Sequence, residues 1–454
     1  MVAAASPILS SESAAQPGDL LRIEHFGSLY YHRRTARFAL LPPHLTRLLL
    51  DATRGNALEA YARDPKGYDV DEETLIRDIE GLLHDGMLDE GFRCHARVLH
   101  HNGSHAALTG PLITHIQLTR ACNLRCTHCF VDITPKPDPH ELSTAQMLSL
   151  FAELETLGSP VVVLAGGEPM LRRDFWELVA GVGRHGLDAS LCTNGTLITE
   201  ENAARLAASP IREYSISLDG PDAPTHDTIR GAGRFEQALR GIRLLRAAGA
   251  KDVQFRVTVT SGNADRLGDY ATLGRELGVT RVAFKPFRQT ETGAAQHADG
   301  LYIDRLSYLR AMERAKAAWP SDGPPAQWGD GIPTRTPEWA GIIPPFGCVG
   351  GTTSASVMYD GRVVSCGFVL DPQDWSLHAH SFTSCWREAP TIRSWRTFTG
   401  NDQCGSCENF TVCGGGCRAR ATGAGRTLNE PDPWADCTVD PSERPSRKRL
   451  HVIA

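Results

Sequence analysis

The chain has 454 residues, 41% apolar and 22% charged, which fits a globular protein of about three domains and excludes a mostly disordered one. A net charge of −6 gives no global electrostatic reason to bind nucleic acid or an anionic membrane. No stretch approaches the ~18 uninterrupted apolar residues of a membrane span, and no basic start followed by an apolar core marks a secretory signal, so a cytoplasmic location is expected. In chain order, residues 1–18 are rich in Ala and Ser and read as a disordered tail. Short strands are predicted at Leu21–Phe26, Leu29–His32 and Arg37–Leu41, ended by Pro42-Pro43. Helices are predicted at His44–Ala52 and Asp71–Leu83. In the second, Leu75, Ile76, Ile79, Leu82 and Leu83 repeat at helical spacing behind an acidic first turn. Strands followed by short helices predict a small winged-helix domain over 19–92, with 93–112 as a linker.

Strands and helices then alternate over 113–320. The predicted strands are Thr114–Thr119, Val161–Leu164, Ala189–Thr193, Tyr214–Leu218, Gln254–Thr260 and Val282–Pro286. Helices between them include Ser143–Leu157, where Ser143 and Gln146 make a capping box and Gly158 is the stop. Another spans Phe235–Ala248. Six β–α units predict an α/β fold with a parallel sheet, a partial (β/α)6 barrel of TIM type. Residues 321–346 are rich in Pro and Gly and read as a second linker. Residues 347–440 are dense in cysteine and poor in core-forming residues, so this segment is expected to need metal to fold. Residues 441–454 read as a tail.

Thirteen cysteines in a reducing compartment point to metal ligands or redox groups rather than disulfides. Cys122-Asn-Leu-Arg-Cys126-Thr-His-Cys129 follows the first barrel strand, at the carboxyl end where such folds place their active sites. Three thiolates can hold three corners of a cubane and leave one iron free for substrate. The alternative is a partial zinc site. This motif resembles the radical S-adenosylmethionine (SAM) enzymes. Four further segments match that family in order: Gly166-Gly167-Glu168-Pro169, Thr193-Asn194-Gly195, Ser217-Leu218-Asp219-Gly220, and His226-Asp227 with Arg230-Gly231. The resemblance covers residues 113–290. It implies that the free iron binds the amino and carboxylate groups of SAM, and that Gly166, Gly167, Glu168 and Pro169 line the methionine amine. It further implies that Ser217 and Arg230 hold the carboxylate or ribose and that Asn194 lies beside the nucleoside. One electron would cleave SAM to methionine and a 5′-deoxyadenosyl radical that abstracts a hydrogen atom. His128, where the family often has an aromatic residue, is expected to pack beside the cluster.

Downstream, Cys348, Cys366, Cys404, Cys407, Cys413, Cys417 and Cys437 resemble the SPASM extension of radical SAM peptide- and protein-modifying enzymes. That resemblance implies two auxiliary clusters, hence three [4Fe-4S] clusters in all. Cys404, Cys407, Cys413 and Cys437 would form one complete site, and Cys348, Cys366 and Cys417 the other. A further ligand found near Cys348 in relatives is missing here, since Ile342 and Ala355 stand at neighbouring positions. The open iron would bind substrate or accept an electron, or Cys385 would close it. Cys94 and Cys192 are expected to be ordinary thiols, and His100, His101 and His105 to decorate the linker.

Residues 20–90 resemble the winged-helix peptide-recognition (PqqD-like) element of ribosomally made peptide pathways. That element adds a leader peptide to a sheet edge, here Leu29–His32 or Arg37–Leu41. The acidic helix around Glu72, Glu73, Asp78 and Glu80 opposes a DNA-binding role. The implied function is modification of a precursor peptide by hydrogen abstraction, giving a thioether, a carbon–carbon link or an oxidative decarboxylation, with flavodoxin or ferredoxin as electron donor. Two alternatives remain. A haem-pathway decarboxylase acting on a tetrapyrrole shares the core and a run like Cys413–Ala421. Sulfatase-maturase chemistry loses support because Gly367, not an acid, follows Cys366.

Overall fold

The structure is a computed structural model that describes residues 18–100, 107–290, 293, 295, 298–329, 348–369, 375–398, 400, 404 and 410–435. The chain divides into two compact units, Met1–His101 and Asn102–Ala454. In the first, β1 (Leu20–Glu24), β2 (Gly27–His32) and β3 (Arg37–Leu41) form an antiparallel meander. Next come α1 (Pro43–Arg54), α2 (Ala57–Arg63) and α3 (Glu72–His84). Pro43 occupies the first turn of α1, where a missing N–H costs nothing, so the proline pair starts the helix as well as ending the strand. Asp71 caps α3 by accepting the Thr74 N–H at 2.7 Å. Leu75, Ile79 and Leu82 of α3 join Leu21, Tyr30, Leu48 and Leu49 in one core. Ile76, expected on that apolar stripe, is 52% exposed instead.

Two expectations for this unit are corrected. The stretch read as a linker from 93 contains β4 (Arg97–Leu99), paired parallel to β1, and Cys94 is buried in the core. The strand order is therefore β3-β2-β1-β4. Leu29–His32 lies in β2, inside the sheet, and cannot be a free edge; of the two candidates only Arg37–Leu41, in β3, is one.

The second unit is built on β5 (Ile113–Gln117), β6 (Val161–Ala165), β7 (Asp188–Thr193), β8 (Ile211–Ser217), β9 (Asp252–Val259) and β10 (Arg281–Pro286). These pair in parallel and in chain order. The helices are α4 (Thr144–Leu157), α5 (Phe175–Arg184), α6 (Glu200–Ala207), α7 (Ala223–Arg230), α8 (Arg234–Ala247), α9 (Tyr270–Glu276) and α10 (Arg305–Ala318). The capping box of α4 forms as its sequence requires, with Gly158 in the left-handed conformation at the other end. Alternate strand residues such as Ile116, Leu164, Leu191, Ile216 and Phe255 pack with Leu150, Phe151, Leu178 and Leu239 of the helices. The intervening residues, among them His115, Cys192, Ser217 and Arg256, face the other side.

That face is curled. His115 on β5 and Arg256 on β9 would stand roughly 19 Å apart on a flat sheet, yet the guanidinium acts on the imidazole: lost hydration within the curve and Arg256 push His115 down to about 4, although both side chains remain open to solvent. The sheet also extends beyond the six predicted strands, to nine, in the order β11-β10-β9-β8-β7-β6-β5-β12-β13. Here β11 (Ala326–Trp328) comes from the stretch expected to be linker. β12 (Ser354–Val357) pairs parallel to β5, and β13 (Val363–Val364) antiparallel to β12. The cysteine-rich segment also has helices that its sequence did not signal, α11 (Phe382–Glu388) and α12 (Pro390–Arg396). Among the described residues no helix is long and apolar enough to cross a membrane.

Candidate active site

The loop after β5 carries Cys122, Cys126 and Cys129, and the neighbouring strand ends hold it. Gly167 and Glu168, just past β6, donate their N–H groups to Thr119 O at 2.7 Å and Ala121 O at 2.8 Å, so the β5–β6 ladder runs on into the cysteine loop. The two backbones touch here. A Cβ on Gly167 would lie 2.2 Å from Ala121 O, and one on Gly166, at φ +148°, 2.4 Å from Thr119 O. Gly167→Ala is therefore expected to displace the loop and lower the iron bound on anaerobic reconstitution at least severalfold, measured as iron per chain; wild-type iron content would refute this.

Glu168 is fully buried and its carboxylate ties β6 to β7. It accepts from Thr193 Oγ1 at 2.8 Å, Asn194 N at 2.9 Å and Met170 N at 3.3 Å. Burial outweighs those bonds and pushes its pKa up to about 6. Pro169 begins the short 3-10 turn Pro169–Leu171. The Asn194 amide donates to Asn123 Oδ1 at 2.9 Å, inside the cysteine loop, and accepts from Thr196 N and Oγ1. Ser217 ends β8, beside Arg256 of β9.

A charged group at the end of β8 completes the arrangement. Asp219 is fully buried. Its Oδ2 lies 2.5 Å from Arg230 Nε and 3.0 Å from His128 Nε2, and its Oδ1 accepts the Thr258 N–H at 2.8 Å. Burial alone would raise the Asp219 pKa, but Arg230 and His128 outweigh it and hold the carboxyl well below the usual range. Arg230 in turn points a guanidinium N–H at Cys126 Sγ, 3.8 Å away. His128, in the cysteine loop, is anchored by its contact with the Asp219 carboxylate. Sequence reasoning quoted Asp219 within a motif but gave it no role, and it missed Asn123 and Thr196. The polar, hydrogen-bonding side chains directly after Cys122 and two positions after Asn194 were the only local signals.

The three thiols are mutual neighbours. Burial and the adjacent sulfurs push Cys129 up to about 12, and Cys122 and Cys126 are raised for the same first reason. Among the described residues no three His, Cys, Asp or Glu side chains converge to hold one metal ion. In a cluster each thiolate binds its own iron, so three sulfurs spaced along one loop beside an arginine suit an anionic iron–sulfur group.

A second set flanks β12, with Cys348 before it and Cys366 and Cys417 after it. Burial and the neighbouring Cys417 sulfur raise the Cys348 thiol, and Cys366 is pushed up to about 12 by burial and by both of these sulfurs. Sγ of Cys348 accepts from the Gly350 and Arg418 N–H groups, and Cys366 Sγ from that of Phe368, the donor pattern that stabilises thiolates on iron. Cys417 is held by a turn in which Gly414, Gly415 and Gly416 all have positive φ, from 55° to 79°. Only glycine takes three such residues in succession at low cost. Asp432, fully buried, pins this turn through the Cys417 N–H at 2.8 Å and pairs with Arg420 Nη2 at 2.6 Å. Cys404 and Cys413 stand near Arg418, which also faces Cys348 and Cys417; burial brings Arg418 down to about 10 against the pull of these four sulfurs. Cys407 and Cys437 lie outside the described residues, as do His101 and His105.

Cys385 does not join the triad. It is fully buried in the core with Phe382 and Trp386 of α11, and the charged group that acts on it is Glu153. Cys385→Ala should accordingly keep the full iron complement; loss of about four irons would show it to be a ligand. Cys192 lines the inner face of β7, where burial raises its thiol and Arg256 draws it back.

A parallel sheet with a three-cysteine loop at the carboxyl end of its first strand defines a class. Residues 116–268 match the radical SAM superfamily. The chain belongs to it, for it is 34% identical over 336 residues to the AdoMet-dependent heme synthase of Nitratidesulfovibrio vulgaris, a match covering 67% of this chain and 86% of that one. It is therefore a radical SAM enzyme, and membership implies SAM and a [4Fe-4S] cluster. Mycofactocin maturase MftC of Mycobacterium ulcerans is 33% identical over 348 residues, 72% of this chain and 88% of the relative. In fold, the chain matches Streptococcus suis SuiB crystallised with its precursor peptide SuiA, at a TM-score of 0.70 and 16% identity over 91% of this chain and 97% of that one.

Proposed function

We propose that this radical SAM enzyme modifies a ribosomally synthesised precursor peptide, with the amino-terminal unit binding a leader segment and the inner face of the barrel receiving the core. The observation that carries this reading is the free edge strand β3 of a four-stranded sheet, a surface that an extended peptide can lengthen by main-chain hydrogen bonds. The mycofactocin maturase relative supports it. On this reading 19–92 is the peptide-recognition domain, 113–320 the radical SAM barrel and 347–440 the SPASM region.

Cys122, Cys126 and Cys129 would hold the first cluster. When bound, cluster and SAM supply one-electron cleavage to a 5′-deoxyadenosyl radical that takes a hydrogen atom from the substrate. Gly166, Gly167, Glu168 and Pro169 would border the methionine amine, with Glu168 contributing negative charge. Arg230, held by Asp219, would present its guanidinium to the SAM carboxylate or ribose together with Ser217, and Asn194 would lie beside the nucleoside. Cys348, Cys366 and Cys417 would hold a second cluster with an open corner, and Cys404, Cys407, Cys413 and Cys437 a third. A flavodoxin or ferredoxin would deliver the electron, in the cytoplasm.

The heme synthase relatives favour a second reading, a haem-pathway decarboxylation of a tetrapyrrole. One experiment separates the two. Anaerobically reconstituted enzyme with SAM and reductant is offered short peptides from any open reading frames flanking its gene, or an iron coproporphyrin. A mass change in a peptide coupled to 5′-deoxyadenosine supports the first reading. Turnover of the porphyrin alone overturns it.

A further inference from the structure

Arg288 lies two residues past the end of β10, at the carboxyl mouth of the barrel. Its Nε is buried and has no hydrogen-bond partner. On one side the guanidinium donates to the Cys417 sulfur and neighbours Cys366. On another its Cζ sits 5.5 Å from the centroid of the Phe368 ring, two residues after Cys366. Phe368 is stacked on Phe130 at 4.0 Å between centroids, and Phe130 directly follows Cys129. The loop that carries Arg288 is fastened at both ends of this column. Gln289 O lies so near the helix Arg418–Gly423 that a Cβ on Gly423 would come within 2.1 Å of it, and Ala295 donates its N–H to Cys129 O at 2.9 Å. Arg288 thus stands as a cation against the Cys348/Cys366/Cys417 site, beside Arg418, and two stacked rings connect it to the loop of the first cysteine set.

We propose that Arg288 is a positioning residue that raises the reduction potential of a cluster held by Cys348, Cys366 and Cys417. Hydrogen bonds to ligand sulfur and a nearby positive charge favour the reduced, more negative state of an iron–sulfur cluster. A raised potential suits this site to take up the one electron that a substrate radical must lose after hydrogen abstraction, as a new bond forms or a fragment leaves. The inference rests on the three-cluster reading above.

The test is an EPR-monitored redox titration of the anaerobically reconstituted full chain, without substrate, in the wild type, Arg288→Gln and Arg288→Lys, with iron counted in each. Arg288→Gln is expected to shift the reduction equilibrium of one auxiliary cluster at least tenfold toward the oxidised form, 59 mV for a one-electron couple. Arg288→Lys should recover part of that shift, and the cluster that binds SAM should be unchanged in both. Equal potentials at equal iron content would overturn the role of Arg288 and leave the cluster assignment standing. Loss of iron in Arg288→Gln with no shift in Arg288→Lys would also overturn it, in favour of a part in assembly. A wild type holding only about four irons would overturn the cluster reading and the inference together.

Discussion

Replacing Cys122, Cys126 and Cys129 together by alanine is expected to abolish 5′-deoxyadenosine formation and to lower bound iron from about twelve per chain to about eight. The two effects belong together. The three sulfurs share one loop, fastened by the Gly167 and Glu168 N–H groups and by Asn194 through Asn123. The second set, Cys348, Cys366 and Cys417, flanks β12 in a different part of the unit. Iron and sulfide analysis with chromatographic detection of 5′-deoxyadenosine is the check. A variant that still cleaves SAM would refute the assignment of the active loop, and a drop to no iron at all would mean that the sets do not load independently.

The second large effect is expected at Asp219. Its carboxylate is the only acid in contact with Arg230 and His128 among the described ion pairs, and it is fully buried. Asp219→Ala strands buried positive charge, a change that costs about 3–5 kcal/mol. A melting temperature lower by about 10 °C should follow in the protein without clusters, and with it a loss of SAM affinity as Arg230 swings free. Asp219→Asn keeps the shape but not the charge and should fall between. A melting curve unchanged in Asp219→Ala would show that the pair is not buried as described.

Much of this was legible from the chain, for physical reasons that differ by element. The six barrel strands and helix α4 announce themselves through apolar runs, a Ser–Gln capping box and a glycine stop, all local signals. β11, β12 and β13 do not, since strands of two to four residues are too short to show an alternation. Leu29–His32 has the composition of a strand, but whether a strand is an edge depends on what pairs with it, and β4, which closes the other side of β1, has only three residues. Ile76 follows the helical period and still faces out. The cysteine spacings carried the family resemblance from which both sets were drawn. The role of Asp219 could not be read that way, because His128 precedes it by 91 residues and Arg230 follows it by 11, and only the fold brings the three together.

The pairing of β12 with β5 also bears on how the protein is made. Ile113 is joined to Ser354 across the sheet, so the outer edge of β5 has no partner until a chain roughly 240 residues longer has emerged. At about 5–20 residues per second the ribosome exposes that apolar strand for roughly 12–48 s. Nascent chains stalled before Ser354 present an open parallel edge to one another, the geometry from which aggregates grow, so the vulnerable interval falls in the middle half of synthesis and closes when β12 emerges.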